Sequence, residues 1–147
     1  MCTIDNDGIL YSTDEHANVV LMLSTSGDTI GWWGEFGPNP GQLNAPSGIT
    51  LDSENNLWVV NCNNHNIQNF SREGQFLGGW GDYGTDSNQL NHPWGITIDP
   101  IDNSLLVAGF HLEGAIKHGD ADEDSPQQHE RCQNRFYKGK TVASMVR

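Results

Sequence analysis

Uncharged hydrogen-bonding side chains are concentrated in one short segment of the chain. Asn63, Asn64 and His65 follow the apolar run 57–60, and Trp94 stands at the start of a later β-branched run. Amides and imidazoles donate and accept hydrogen bonds, while an indole ring offers a flat apolar surface. These four residues are therefore candidate ligand-binding residues for a peptide or a carbohydrate. Two structural roles compete with this interpretation, because asparagine is common in turns and a tryptophan can simply fill a packed interface.

No catalytic or metal-binding set stands out in the sequence. Asp120, Asp122 and Asp124 resemble the start of a calcium loop, but Ser125 and Arg131 occupy the positions where such a loop has Gly and Glu. The C-terminal candidates for zinc do not have the spacing of a familiar structural site; they are His111, His118, His129 and Cys132. Nucleophile–base pairs and phosphate-binding glycine loops are also missing. We therefore expect no catalytic residue, no metal and no cofactor.

Charge is distributed unevenly along the chain. Residues 1–116 contain one basic residue, Arg72, against 14 acidic ones, whereas residues 117–147 contain six basic and five acidic residues. Because nucleic-acid affinity comes largely from Lys and Arg, we expect no nucleic-acid partner. No apolar stretch approaches the roughly 18 residues of a spanning helix, and residues 1–7 do not resemble a signal peptide. We expect no membrane association, and the sequence specifies no compartment.

Three cysteines without C-x-x-C spacing indicate neither a disulfide framework nor a zinc knuckle.

A repeat of 47 residues organises the chain. Residues 31–52 align without a gap on residues 78–99, so that Trp33 matches Trp80 and Pro46 matches Pro93. Short β-branched runs alternate with Gly, Pro and Asn, which leaves no window long enough for an amphipathic helix. In the second repeat we predict strands a to d at 48–52, 57–60, 66–71 and 75–80. The fold class is therefore all-β, a partial β-propeller built from four-stranded antiparallel blades.

The strand order predicts which loops share a face. Because the four strands alternate in direction, the d-to-a connections (35–44 and 82–91) and the b-to-c connection (61–66) emerge on one side. We call this side the loop face, and the four candidate ligand-binding residues fall on it. Long loops on a rigid scaffold are the usual place for binding.

Two further sets of residues recur with the repeat. Trp33 and Trp80 end strand d, with Phe36 and Tyr83 three residues later, and this recurrence favours contacts between blades. An aspartate stands at the end of strand a in every repeat and is predicted to cap the a-to-b turn; these residues are Asp5, Asp52 and Asp99.

The second repeat resembles the NHL repeat. Pro46-Ser-Gly-Ile-Thr-Leu-Asp52, Leu57-Trp-Val-Val60 and the pair Asn64-His65 carry the resemblance, which extends over about residues 1–108. It implies a propeller, but NHL propellers include ubiquitin-ligase modules, RNA binders, bacterial surface proteins and a zinc-dependent lyase. The family commonly has Asp after strand b and Arg after Asn-His. Because Asn61 and Asn66 stand there in this chain, that ion pair is not expected.

These observations predict a truncated first repeat at 1–45, a second at 46–92, the start of a third at 93–116, and a divergent polar loop with a C-terminal hairpin at 117–147. A closed ring takes roughly four to eight blades. We therefore expect either a fragment of a longer propeller or two copies that associate through open blade edges. The predicted function is a non-catalytic scaffold that binds a protein or a glycan. The alternative is a fragment of a metal-dependent propeller lyase or lactonase.

Overall fold

Residues 1–84 and 89–109 are described by the computed structural model, and they form antiparallel blades joined by turns. Blade 1 contains β1 (Cys2–Ile4), β2 (Leu10–Asp14), β3 (Val19–Leu23) and β4 (Thr29–Trp33). Blade 2 contains β5 (Pro46–Leu51), β6 (Leu57–Asn61), β7 (Asn66–Phe70) and β8 (Phe76–Trp80), with a 3-10 turn at Cys62–Asn64. The nearly all-β architecture confirms the predicted fold class.

Two strand pairs complete the described chain. The short parallel pair β9 (Asp82–Tyr83) and β10 (Gln89–Leu90) lies within the second d-to-a connection. Blade 3 is represented by the antiparallel pair β11 (Pro93–Ile98) and β12 (Leu105–Gly109). The predicted C-terminal hairpin, the calcium-like segment and the C-terminal histidines lie outside the described residues. Within the described part, no helix is long and apolar enough to cross a membrane.

Aspartate side chains close the turn between the first two strands of each blade. Asp52 Oδ1 accepts hydrogen bonds from the backbone N–H of Glu54 at 2.9 Å and of Asn56 at 2.8 Å. Asp5 accepts the same pair of bonds in blade 1, and Asp99 accepts one of them in blade 3. The predicted capping role is therefore confirmed, and it sets the point where each inner strand turns back.

The core lies between the blades and not within any one of them. Neighbouring valines of β6 point in opposite directions, Val59 toward blade 1 and Val60 toward blade 3, and both are fully buried. The cluster between blades 1 and 2 consists of Tyr11, Val20, Leu43, Ile49, Leu57, Val59 and Phe70. The cluster between blades 2 and 3 consists of Trp58, Val60, Ile67, Leu90, Leu105 and Val107.

Tryptophans at the end of strand d pack on these clusters. The ring centroid of Trp33 lies 4.8 Å from that of Phe70, and Trp80 lies against the cluster between blades 2 and 3. The predicted role in blade contacts is confirmed for both tryptophans. It is wrong for Phe36 and Tyr83, which are 67% and 66% exposed, because the chain has by then left the sheet for the d-to-a connection.

An ion pair joins the a-to-b turn of blade 1 to the c-to-d turn of blade 2. Arg72 Nη1 lies 3.1 Å from Asp5 Oδ2 and 2.6 Å from Asp7 Oδ2. Burial raises the pKa of the Asp5 carboxyl, but hydrogen bonds from the Ile9 backbone, Arg72 and Tyr11 outweigh burial and hold that pKa below its usual value. The one basic residue of the acidic region therefore neutralises a fully buried carboxylate across the blade junction.

The junction between blades 1 and 2 makes Gly74 sensitive to a methyl group. Gly74 has φ +87°, and a Cβ there would collide with the Trp33 indole, whereas its repeat partner Gly27 has φ +90° and open space around it. Alanine at either position pays about 1–2 kcal/mol for the left-handed backbone. We expect Gly74→Ala to cost about 1–3 kcal/mol more than Gly27→Ala, because only Gly74 is overpacked.

Urea unfolding of the two variants, followed by tryptophan fluorescence, measures this difference. Equal losses of unfolding free energy would show that the indole does not press on Gly74.

Tyr11 makes folding sensitive to alkaline pH. Its hydroxyl donates a hydrogen bond of 3.2 Å to Asp5 Oδ2, and burial together with the Asp5 charge raises the pKa of Tyr11 from 10.0 to about 12. A folded-state pKa above the unfolded value means that this stability is complete below pH 10 and is lost as the pH rises through about 12. Tyr11→Phe should lower stability at neutral pH by about 1 kcal/mol and remove this alkaline loss.

Melting temperatures of both proteins across that pH window test the expectation. A variant whose melting temperature falls as steeply as that of the wild type would contradict it.

Candidate functional site

The b-to-c connection of blade 2 touches the d-to-a connections on both of its sides. Asn64 Nδ2 donates a hydrogen bond of 2.8 Å to the Gly37 carbonyl in the preceding connection. On the other side, the His65 ring centroid lies 4.7 Å from that of Tyr83 and 4.5 Å from that of His92. The loops expected to share the loop face therefore do meet there.

Buried amides hold the first d-to-a connection in place. Asn61 is fully buried; its Oδ1 accepts a bond of 2.6 Å from the Asn44 N–H, and its Nδ2 donates one of 3.0 Å to the Gln42 carbonyl. The Gln68 amide adds a bond of 3.0 Å to the same carbonyl and accepts one of 2.8 Å from the Gly41 N–H. Because side-chain amides satisfy the backbone of this loop, it is anchored to the blade beneath it.

The two candidate asparagines take part in the same anchoring. Asn63 Nδ2 lies 3.3 Å from Asn44 Oδ1, and the Asn63 N–H donates to the Asn44 carbonyl at 3.1 Å. Together with the bond from Asn64 to Gly37, these contacts give both residues the structural role that competed with ligand binding. These bonds use one Nδ2–H of each side chain, which leaves the second Nδ2–H and the Oδ1 atom for a ligand.

His65 occupies a position that recurs in every junction between described blades. It has φ 54°, and its Nδ1 accepts a hydrogen bond of 3.1 Å from the His92 N–H at the entry to blade 3. One repeat earlier, Asn18 has φ 60° and its Oδ1 accepts a bond of 2.8 Å from the Ala45 N–H. The imidazole of His65 thus replaces an amide in joining the b-to-c loop to the next inner strand.

This bond determines the protonation state of His65. An Nδ1 that accepts a hydrogen bond carries no proton, so the neutral ring carries its hydrogen on Nε2. Burial, and after it the charge of His92, lowers the pKa of His65. The candidate ligand contact at this residue is therefore the Nε2–H donor.

Trp94 lies at the inner edge of the loop face. It is the second residue of β11, which follows the buried Pro93, and the side chain of Trp94 is 42% exposed. The inner strands β5 and β11 run close together here. A Cβ on Gly48 would lie only 3.0 Å from both the Trp94 carbonyl oxygen and the Ile96 nitrogen. This exposure leaves much of the indole accessible to a ligand, so blade packing does not account for the whole side chain.

Two members of the site were missed in the sequence. Tyr83 and His92 both contact the His65 ring, in edge-to-face geometry with interplanar angles of 63° and 71°. For Tyr83 the usable signal was its place inside a loop, after the end of strand d. His92 carried no signal, because its repeat partner is Ala45.

A groove of about 330 Å³ lies at the outer side of the loop face, between the first d-to-a connection and the outer strands of blade 2. Its lining includes Pro38, Pro40, Gln68, Phe76, Trp80 and Asp82. Among the described residues, no group of three or more His, Cys, Asp or Glu side chains is placed to hold a metal ion.

His65→Asn should remove the pH dependence of stability that comes from the His65 imidazole, while keeping the hydrogen bond from the His92 N–H. A folded-state pKa below the usual 6.5 means that stability is complete above pH 6.5 and is lost as the pH falls through the folded value. Asparagine restores the arrangement at Asn18 and suits a positive φ, so we expect unchanged or higher stability at neutral pH and a flatter acid profile. His65→Ala, which has no acceptor, should lose about 1 kcal/mol at neutral pH.

Thermal unfolding at a series of pH values compares the three proteins. Parallel profiles for the wild type and His65→Asn would show that the His65 imidazole is not the titrating group.

Comparison with known proteins agrees with this architecture. A family model described as NHL repeat matches residues 43–70. A catalytically inactive virginiamycin B lyase from Staphylococcus aureus, solved with quinupristin, is 22% identical with a TM-score of 0.61, covering 86% of this chain and 41% of the lyase. A luciferin-regenerating enzyme is 18% identical with a TM-score of 0.60, covering 96% of this chain and 44% of the enzyme.

A streptogramin B lyase is also similar, at 19% identity and a TM-score of 0.59, with 78% of this chain and 35% of the lyase covered. A search of curated protein sequences gave no match. The chain spans about two fifths of the length of these structures, and at such identities the likeness concerns the fold. The chain therefore contains an NHL repeat, and its described residues have the fold of part of a β-propeller.

Proposed function

We propose that the loop face is a non-catalytic recognition surface for a polypeptide or a glycan. The observation that carries the proposal is the exposure of aromatic side chains at this end of the blades: Phe36 is 67% exposed, Tyr83 66% and Trp94 42%. Exposed aromatic residues on a rigid support supply large contact areas at low entropic cost, and they dominate many binding surfaces.

The support beneath these rings favours recognition of a ligand without large loop movement. Asn61 and Gln68 tie the first d-to-a connection to blade 2, and the bond between His65 and His92 ties the end of the second connection to the b-to-c loop of blade 2. Because these bonds hold the first connection in place, it loses less conformational entropy when a ligand binds.

Charge indicates which ligand class to test first. Residues 1–116 contain 14 acidic residues and one basic residue, and that basic residue is engaged by Asp5 and Asp7. A negative field attracts positively charged partners and speeds their encounter. We therefore place a basic peptide first and an uncharged glycan second, and nucleic acid remains an unexpected partner.

The second candidate function is a fragment of a metal-dependent propeller enzyme. It is favoured by the fold likeness to two lyases and a luciferin-regenerating enzyme. Metal analysis of the purified chain after equilibration with divalent cations separates the two functions, because stoichiometric metal would favour the enzyme.

Alanine substitution of the exposed rings tests the recognition surface. Arrays of basic peptides and of neutral glycans serve as probes for the full chain, and the best probe is then titrated. We expect Trp94→Ala and Tyr83→Ala each to weaken binding about tenfold or more, equivalent to about 1.4 kcal/mol. The matched control is Ile101→Ala, since Ile101 is 89% exposed but lies in the a-to-b turn of blade 3, at the opposite end.

Unchanged affinity in both ring variants, or an equal loss in the control, would reject the loop face as the binding surface.

A further inference from the structure

Blade 1 exposes an apolar face on the side away from blade 2, which we call the open face. Cross-strand pairing places Ile4 and Leu23 beside Leu10, and Trp32 beside Leu21, on this face. Ile4 is 53% exposed and Trp32 is 65% exposed, while the leucines are half-buried. Within the described residues, nothing covers this surface.

The 47-residue repeat shows what such a face contacts. One repeat later, Leu10 corresponds to Leu57, Leu23 to Phe70, and the equivalent surface of blade 2 is 0% exposed at Leu57 and 1% at Phe70. That surface is buried by Tyr11 and other residues on the opposite side of blade 1. The open face therefore has the position and the apolar character of a surface that receives the preceding blade.

The turn beside the open face shows the same relation. Gly74 of blade 2 lies under the Trp33 ring, whereas no atom stands within 4 Å of a Cβ built on its counterpart Gly27. The left-handed glycine at this turn is present in both blades, but only in blade 2 does a neighbouring blade fill the space beside it. Blade 1 thus has unfilled space beside Gly27 as well as the apolar surface of the open face.

The other end of the described chain carries the complementary side of a blade. Tyr11 pairs with Thr3 and Trp58 pairs with Thr50, and both aromatic side chains are buried in the cluster shared with the following blade. At the same register position in blade 3, Leu106 pairs with Thr97. Leu106 therefore faces the side on which a fourth blade would stand.

We propose that a second copy of this chain packs its blade 3 on the open face of blade 1, head to tail. Two such contacts, related by a two-fold axis, use the open face of blade 1 and the Leu106 side of blade 3 in each chain and close the assembly. Each chain covers 35–44% of the propellers that it resembles, so two copies supply most of one ring. The contact buries the apolar face of each blade 1, which the described residues of a single chain leave exposed.

Light scattering coupled to size exclusion tests this assembly on the full chain. We expect a dimer of twice 16.2 kDa at micromolar concentration, and a monomer for Trp32→Glu, because a charge would then be buried at the contact. The matched control is Phe36→Glu: Phe36 is 67% exposed, as against 65% for Trp32, but it lies on the loop face. This control should remain dimeric, and circular dichroism checks that each variant keeps its β-sheet.

A complementation experiment tests the head-to-tail arrangement. Leu106→Glu should also give a monomer, and mixing it with Trp32→Glu should restore a dimer held by one intact contact. A monomeric wild type, a dimeric Trp32→Glu variant, or a mixture that stays monomeric would each overturn the proposal. A monomeric wild type would assign the open face to a blade of another chain or to residues 110–147.

Discussion

Burial of both faces of every blade is the constraint on which the rest of the structure depends. In β6 the adjacent residues Val59 and Val60 belong to different clusters, one on each side of the sheet, and neither has any exposed surface. Full burial of a valine or leucine side chain contributes roughly 1.5–3 kcal/mol. A single blade cannot supply this burial on both faces, so the stability of each blade resides mainly in its contacts with neighbours.

The same junctions build the loop face. Asn18 and His65 sit at the end of a b-to-c loop, and each accepts a hydrogen bond from the residue just before the next inner strand. Asn61 and Gln68 of blade 2 hold the first d-to-a connection by side-chain hydrogen bonds to its backbone. Because these bonds join one blade to the next, the geometry of the exposed aromatic rings depends on how the blades are packed. The proposed binding at the loop face would therefore depend on blade packing.

Polar groups at the junctions are arranged so that burial is compensated. The Asp5 carboxylate receives backbone N–H groups, the Tyr11 hydroxyl and Arg72, and the equivalent Asp52 carboxylate receives backbone N–H groups and the Trp58 indole N–H. In both carboxylates Oδ1 closes the turn, while Oδ2 accepts a hydrogen bond from the aromatic residue of strand b. In blades 1 and 2 the recurring aspartate thus serves both the local turn and the core beneath it.

The amino-acid sequence by itself determined the features that depend on local pattern and on the repeat. These are the all-β class, the strand positions, the aspartate turns, the role of Trp33 and Trp80, and the shared side of the loops. Only the tertiary structure decided which side chains meet across a junction. The bond from His92 to His65 spans 27 residues and the contact of Arg72 with Asp5 spans 67, and neither partner can be read from spacing within one repeat.

The exposure of Phe36 and Tyr83 was decided in the same way. The recurrence of an aromatic residue at both positions indicated a shared role in blade contacts, but it could not distinguish a buried ring from an exposed one. That distinction depends on where the chain leaves the sheet relative to the next blade. A repeat in sequence specifies each blade and its turns, whereas the surfaces that remain open depend on which neighbours are present to cover them.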